Sequence, residues 1–105
     1  MARYGKETKL PPKAVLAQAR TFFGPGGDLG LAITSASWNE TRFEGGGGGV
    51  EVTALPRAGA LGTTDVTVLS REYDQWAERF LAALSDAERG PGLVQRLLQK
   101  VTGRK

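Results

Sequence analysis

The hydrophobic pattern of this chain changes period twice, and that change limits its fold more than any other feature. Between about residues 29 and 69 apolar residues alternate with polar or small ones; on both sides they recur at helical spacing. "DLGLAITSAS" sets Leu29, Leu31 and Ile33 on one side and Gly30, Ala32 and Thr34 on the other. "WNETRFE" sets Asn39, Thr41 and Phe43 against Trp38, Glu40, Arg42 and Glu44. "VEVTAL" aligns Val50, Val52 and Ala54, and "TTDVTVLS" opposes Val66 and Val68 to Asp65, Thr67 and Leu69. Four half-buried strands with short connections predict an antiparallel meander with one wet face.

The flanking segments predict the cover for the other face. In "LPPKAVLAQARTFFG" two prolines suit a helix entry, and Val15, Leu16, Ala19, Phe22 and Phe23 form one stripe. "GPGG" at residues 24–27 ends that helix. Tyr73, Trp76, Ala77, Phe80, Leu81 and Leu84 define a second helix over 72–87, with Ser70 suited to its N-cap. "RGPG" breaks it, and Leu93, Val94, Leu97, Leu98 and Val101 mark a short helix over 93–102. Residues 3–9 read as an edge strand or a loose arm. The fold expected is α+β: a two-layer sandwich in which a four- to five-stranded antiparallel meander carries two helices on one face, plus the short C-terminal helix. At 105 residues the chain is expected to be a single domain. Residues 1–9 would be its arm or edge strand, 10–89 its α-β4-α core, and 91–105 its C-terminal helix and basic tail.

Composition narrows the chemistry. Cysteine and histidine are both absent. Disulfides, thiolate nucleophiles and imidazole bases or ligands are therefore unavailable. No apolar run approaches the roughly 20 residues of a membrane span, and the polar opening "MARYGKETKL" is unlike a secretory signal. A cytoplasmic location is the expectation. The net charge of +3 is unevenly spread. Residues 1–20 hold five cations and one acid, residues 89–105 five cations and no acid, and residues 21–88 four cations and ten acids. The basic ends either pair with the acidic middle or face an anionic partner.

The candidate sites are few. Five consecutive glycines, Gly45 to Gly49, invite comparison with a phosphate loop. Such a loop needs Lys and Ser/Thr and then a helix. Here Val50-Glu51-Val52 follows as a strand, and Glu44 and Glu51 would repel phosphate. The run reads as a hairpin tip around Gly46 and Gly47. Its excess glycine is open to three explanations: flexibility, a bulge, or a second backbone in close approach. Glu40 and Glu44 share a strand face with Arg42 between them, and Glu51 lies on the neighbouring strand. A solvated sheet face and a carboxylate pair for proton transfer or a hard cation both fit. Trp38 is either an exposed stacking surface or tucked beneath a loop, whereas Trp76 belongs to a helical core stripe. Arg96 and Lys100 are the cations of the last helix. No residue is assigned as catalytic, cofactor-binding or metal-ligating. The binding candidates are Trp38, Glu40, Arg42, Gly46, Gly47, Arg96 and Lys100.

The opening "YGKETKLPPKAVLAQARTFF", with Pro11 and Pro12 at the helix entry and Val15 just beyond, resembles the helix-grip (Bet v 1 / START-like) class. That resemblance implies a long amphipathic helix, here 72–87, across a curved antiparallel sheet, and a pocket for a small apolar ligand. The same element order is also similar to the TATA-binding-protein-like β-α-β4-α unit. The chain is short for the first class and lacks the repeat of the second. Three functions are carried forward. The first is a small non-enzymatic binding or interaction domain, with a homo-oligomer as its expected assembly, using the outer sheet face or a sheet–helix pocket. The second is a nucleic-acid-binding module using the basic termini. The third is a carrier of a small apolar ligand.

Overall fold

The computed structural model describes residues 2–59 and 61–87. In chain order they form β1 (Ala2–Thr8), α1 (Pro12–Phe23), β2 (Ala32–Ala36), β3 (Glu40–Gly45), β4 (Gly48–Pro56) and β5 (Thr64–Arg71). A second helix, α2, occupies 74–87. The five strands make one open antiparallel sheet of order β1-β5-β4-β3-β2. Both helices pack on one of its faces, so the expected α+β architecture is observed. The N-terminal segment is an edge strand paired with β5, Tyr4 lying opposite Val68. At a coarse level this arrangement is compatible with a helix-grip topology. The short C-terminal helix and basic tail expected from the sequence lie outside the described residues.

Strand parity governs which side chains reach the core. Thr41 and Phe43 of β3, Val50, Val52 and Ala54 of β4, and Val66 and Val68 of β5 are all buried beneath the helices. Helix α1 adds Val15, Leu16, Ala19 and Phe23, and α2 adds Ala77, Phe80 and Leu84. Pro12 sits in the first turn of α1, where its missing N–H is not needed. The centre of the core is aromatic. The Phe23 ring packs against Phe22, Phe43 and Phe80, and Phe22 also meets Trp76 edge-on at 5.8 Å. Trp76 is thus half-buried at the margin of the core. Tyr4 of β1 faces Asp74 and Glu78 of α2; partial burial, then these two carboxylates, raise its phenol above its ordinary pKa.

β2 departs from the half-buried strand expected. Leu31 is buried just before it, held where its N–H donates to the Phe23 carbonyl at the end of α1. Beyond that point all five β2 residues are exposed, and Ile33, on the helix side, is 37% exposed. Burial follows from helix cover as well as parity: α1 packs on β4 and β3, and β2 lies at the sheet's margin beyond them. A bulge between Ile33 and Ser35 also breaks its alternation.

Among the described residues one buried side-chain hydroxyl is left unsatisfied. Thr41 is fully buried, and its hydroxyl has no hydrogen-bond partner among the described residues. Thr41→Val keeps the shape and removes the stranded hydroxyl. It is expected to raise stability by about 1 kcal/mol, read as a higher urea midpoint with an unchanged slope.

Candidate functional site

The glycine run is a β3–β4 hairpin, as expected. Gly45 pairs with Gly48, and Gly46 and Gly47 form a two-residue turn with φ of 62° and 84°. Positive φ at both positions is the type I′ requirement that glycine meets without strain. The turn explains two glycines. Close approach explains a third: a Cβ on Gly48 would collide with the Arg71 carbonyl and lie 2.8 Å from both Glu72 Cβ and Tyr73 Cε2. The neighbouring backbone is thus the chain's own β5–α2 junction. A hydrogen bond fixes this contact, the Tyr73 hydroxyl donating to the Gly45 carbonyl. The junction itself is tightly turned. Glu72 has φ of 75°, and the Ser70 hydroxyl accepts from the Tyr73 N–H at 3.2 Å. Ser70 therefore ties the turn before α2 rather than capping the helix, whose first carbonyl bond is accepted by Tyr73 from Ala77. The Gly46–Gly47 tip is clamped against the body of the protein.

The outer face of the sheet carries the charged candidates. Arg42 Nε lies 3.3 Å from both Glu40 Oε1 and Glu51 Oε2, joining two strands. Glu44 stands apart from this triad and pairs with Arg71 at 4.0 Å. Gly49 has no side chain to fill the space between these groups. A shallow depression of about 180 Å³ results, lined by Arg42, Glu44, Glu51, Leu69 and Arg71 among others. At the other end of β5, Arg57 bridges Glu7 and Asp65, which face each other across β1 and β5. Solvent-exposed pairs of this kind contribute little to stability, but they keep like charges on adjacent strands from repelling.

The Glu51 carboxyl is raised above its ordinary pKa, first by burial, then by a hydrogen bond with Glu40 and by that residue's charge, while Arg42 acts the opposite way. A raised carboxyl holds its proton more tightly in the folded state than in the unfolded one. The stability it confers therefore grows as pH falls through its folded pKa and is lost as pH rises through it. A carboxyl-carbon NMR titration is expected to place the Glu51 midpoint above the ordinary glutamate value. Glu51→Gln is expected to remove this contribution to the pH dependence of the urea midpoint. Chemically, Glu51 in its protonated form can donate a hydrogen bond to Glu40. Its surroundings in the depression supply no Ser, Cys or Lys as a nucleophile. No group of three or more Asp or Glu among the described residues is placed to hold a metal ion.

Trp38 is 68% exposed, in the turn between β2 and β3. It is not tucked beneath a loop. The turn is closed by the Ser37 N–H donating to the Glu40 carbonyl at 2.7 Å, and the Ser37 hydroxyl donates to Asn39 Oδ1 at 2.9 Å. The Asn39 carbonyl accepts from the Ala54 N–H, so this turn lies beside the end of β4. Leu55, 41% exposed, is there on the outer face, and the fully exposed Leu61 belongs to the β4–β5 connection at the same end of the sheet. Strand parity marks Leu55 as outward-facing; nothing local marks Leu61. The structure thus separates the sequence-derived candidates: Glu40 and Arg42 form the charged triad, Trp38 lies at one end of the sheet, and Gly46 and Gly47 lie at the other. Arg96 and Lys100 fall outside the described residues. The Tyr73–Gly45 bond joins residues 28 apart, and no local pattern signals it.

No protein-family model, curated protein or solved structure matches the chain. Among the described residues no helix is long and apolar enough to cross a membrane.

Proposed function

We propose that this chain is a non-enzymatic binding domain that engages a partner protein through the outer face of its sheet at the Trp38 end. The observation that carries the reading is Trp38 itself: a 68% exposed indole displayed on a turn tied by backbone and side-chain hydrogen bonds. A large aromatic held in place in the free state loses little entropy on binding, which is why such residues anchor interfaces. Leu55 and Leu61 extend the apolar surface at that end, and the Glu7–Arg57–Asp65 cluster supplies a polar rim. The charge balance supports a protein partner over nucleic acid. The described residues hold nine Lys and Arg against ten Asp and Glu, so the basic excess resides in 89–105.

Selection of peptides from a random displayed library on the wild-type protein tests this reading. Selected peptides are expected to bind Trp38→Ala about 30-fold more weakly or worse, while that variant keeps the wild-type circular dichroism and thermal midpoint. Peptides that bind both proteins equally would overturn it. So would turnover in an enzyme panel that disappears on mutating Glu40 or Glu51.

A further inference from the structure

We infer that β2 is a self-pairing edge, through which two copies of the chain join in an antiparallel, two-fold β2–β2 ladder that makes one continuous sheet. The two edges of this sheet are chemically unlike. The β1 edge carries Arg3, Lys6 and Glu7, charges of the kind that discourage strand addition. β2, "AITSA", is the only one of the five strands without Asp, Glu, Lys or Arg. It also lacks proline. One side of its backbone is bonded to β3, and among the described residues no strand lies on the other side. All five residues are exposed, so neither helix obstructs an incoming strand.

The choice of a second copy follows from charge and symmetry. A two-fold ladder sets the strand against itself. Like charges directly opposite would weaken such a pairing, and a neutral strand has none. Pairing β2 with another copy's β1 is heterologous and would leave a free β2 at one end, so it would propagate as an open filament. The β2–β2 ladder closes, and among the described strands it leaves only the charged β1 edges outside. The bulge between Ile33 and Ser35 keeps the ladder short. Joining the edges would also cover part of Ile33, the apolar side chain left at the helix margin. A ladder of this length buries less than the roughly 1,200–2,000 Å² of a standard stable interface, so the association is expected to be reversible and in the micromolar range. The inference goes beyond the binding reading: it concerns the backbone of β2 rather than the Trp38 surface, and a monomeric protein would leave that reading standing.

Sedimentation velocity and light scattering of the full chain, from low micromolar to several hundred micromolar, give the test. The wild-type mass is expected to rise from 11.2 kDa toward twice that value with concentration. Thr34→Lys, at an exposed edge position, is expected to stay monomeric with unchanged circular dichroism, and Arg3→Ser on the opposite edge to dimerise like the wild type. Amide exchange of Ala32–Ala36 in the wild type gives a readout that needs no variant: protection should increase with concentration. A wild-type mass that never rises, a Thr34→Lys dimer of undiminished strength, or concentration-independent exchange in β2 would each overturn the inference.

Discussion

Gly48→Ala is expected to destabilise the protein by about 3 kcal/mol, whereas Gly47→Ala, one residue earlier, should cost only about 1 kcal/mol. The two substitutions test different physics. Gly47 has φ of 84° and open space around a Cβ, so alanine there bears only the strain of a left-handed backbone. At Gly48 the added methyl would meet the Arg71 carbonyl and the side chains of Glu72 and Tyr73. Relief would require moving the β5–α2 junction, which is held from both sides by the Ser70–Tyr73 and Tyr73–Gly45 hydrogen bonds. Urea denaturation of the two variants alongside the wild type reads the difference. Equal losses would show that the run serves only the turn.

Phe23→Ala is expected to cost about 4 kcal/mol, a large share of the 5–15 kcal/mol typical of a folded domain. Phe23 is fully buried, and its ring meets aromatic residues of α1, β3 and α2. Removing it opens a cavity between the two layers that no single neighbour can fill. Phe22→Ala should cost distinctly less, because that ring is half-buried and edges onto Trp76 at the margin of the core. Thermal and urea unfolding of both variants would check the ordering. A Phe22 loss as large as that of Phe23 would move the energetic centre toward α2.

These residues also show what the sequence makes legible. Period-two alternation identifies the buried sides of β3, β4 and β5 because each strand has one face under helices and one in water. The same alternation misleads for Ile33. Parity says which way a side chain points, but burial also needs something above it, and strand order decides that. Glycine content at 45–49 reveals a turn, since Gly46 and Gly47 answer a local backbone demand. The demand on Gly48 comes from Arg71 to Tyr73, more than 20 residues away, and is invisible without tertiary structure. Trp38 is ambiguous for a related reason. It lies in a turn, where alternation no longer assigns a face. The Glu40–Arg42–Glu51 triad is partly legible: strand parity puts Glu40 beside Arg42, but the register that brings in Glu51 is set by the hairpin.

The pairing of β1 with β5 bears on the order in which the molecule assembles. The β3–β4 hairpin closes over a two-residue turn, and β5 joins β4 through another short connection, so these three strands assemble from neighbouring chain. β1 must find β5 across some sixty residues, Tyr4 meeting Val68. Closing that loop costs entropy that the meander never faces. The strand nearest the start of the chain is thus expected to be the last added to the sheet, onto a β5 template that the later chain has already built.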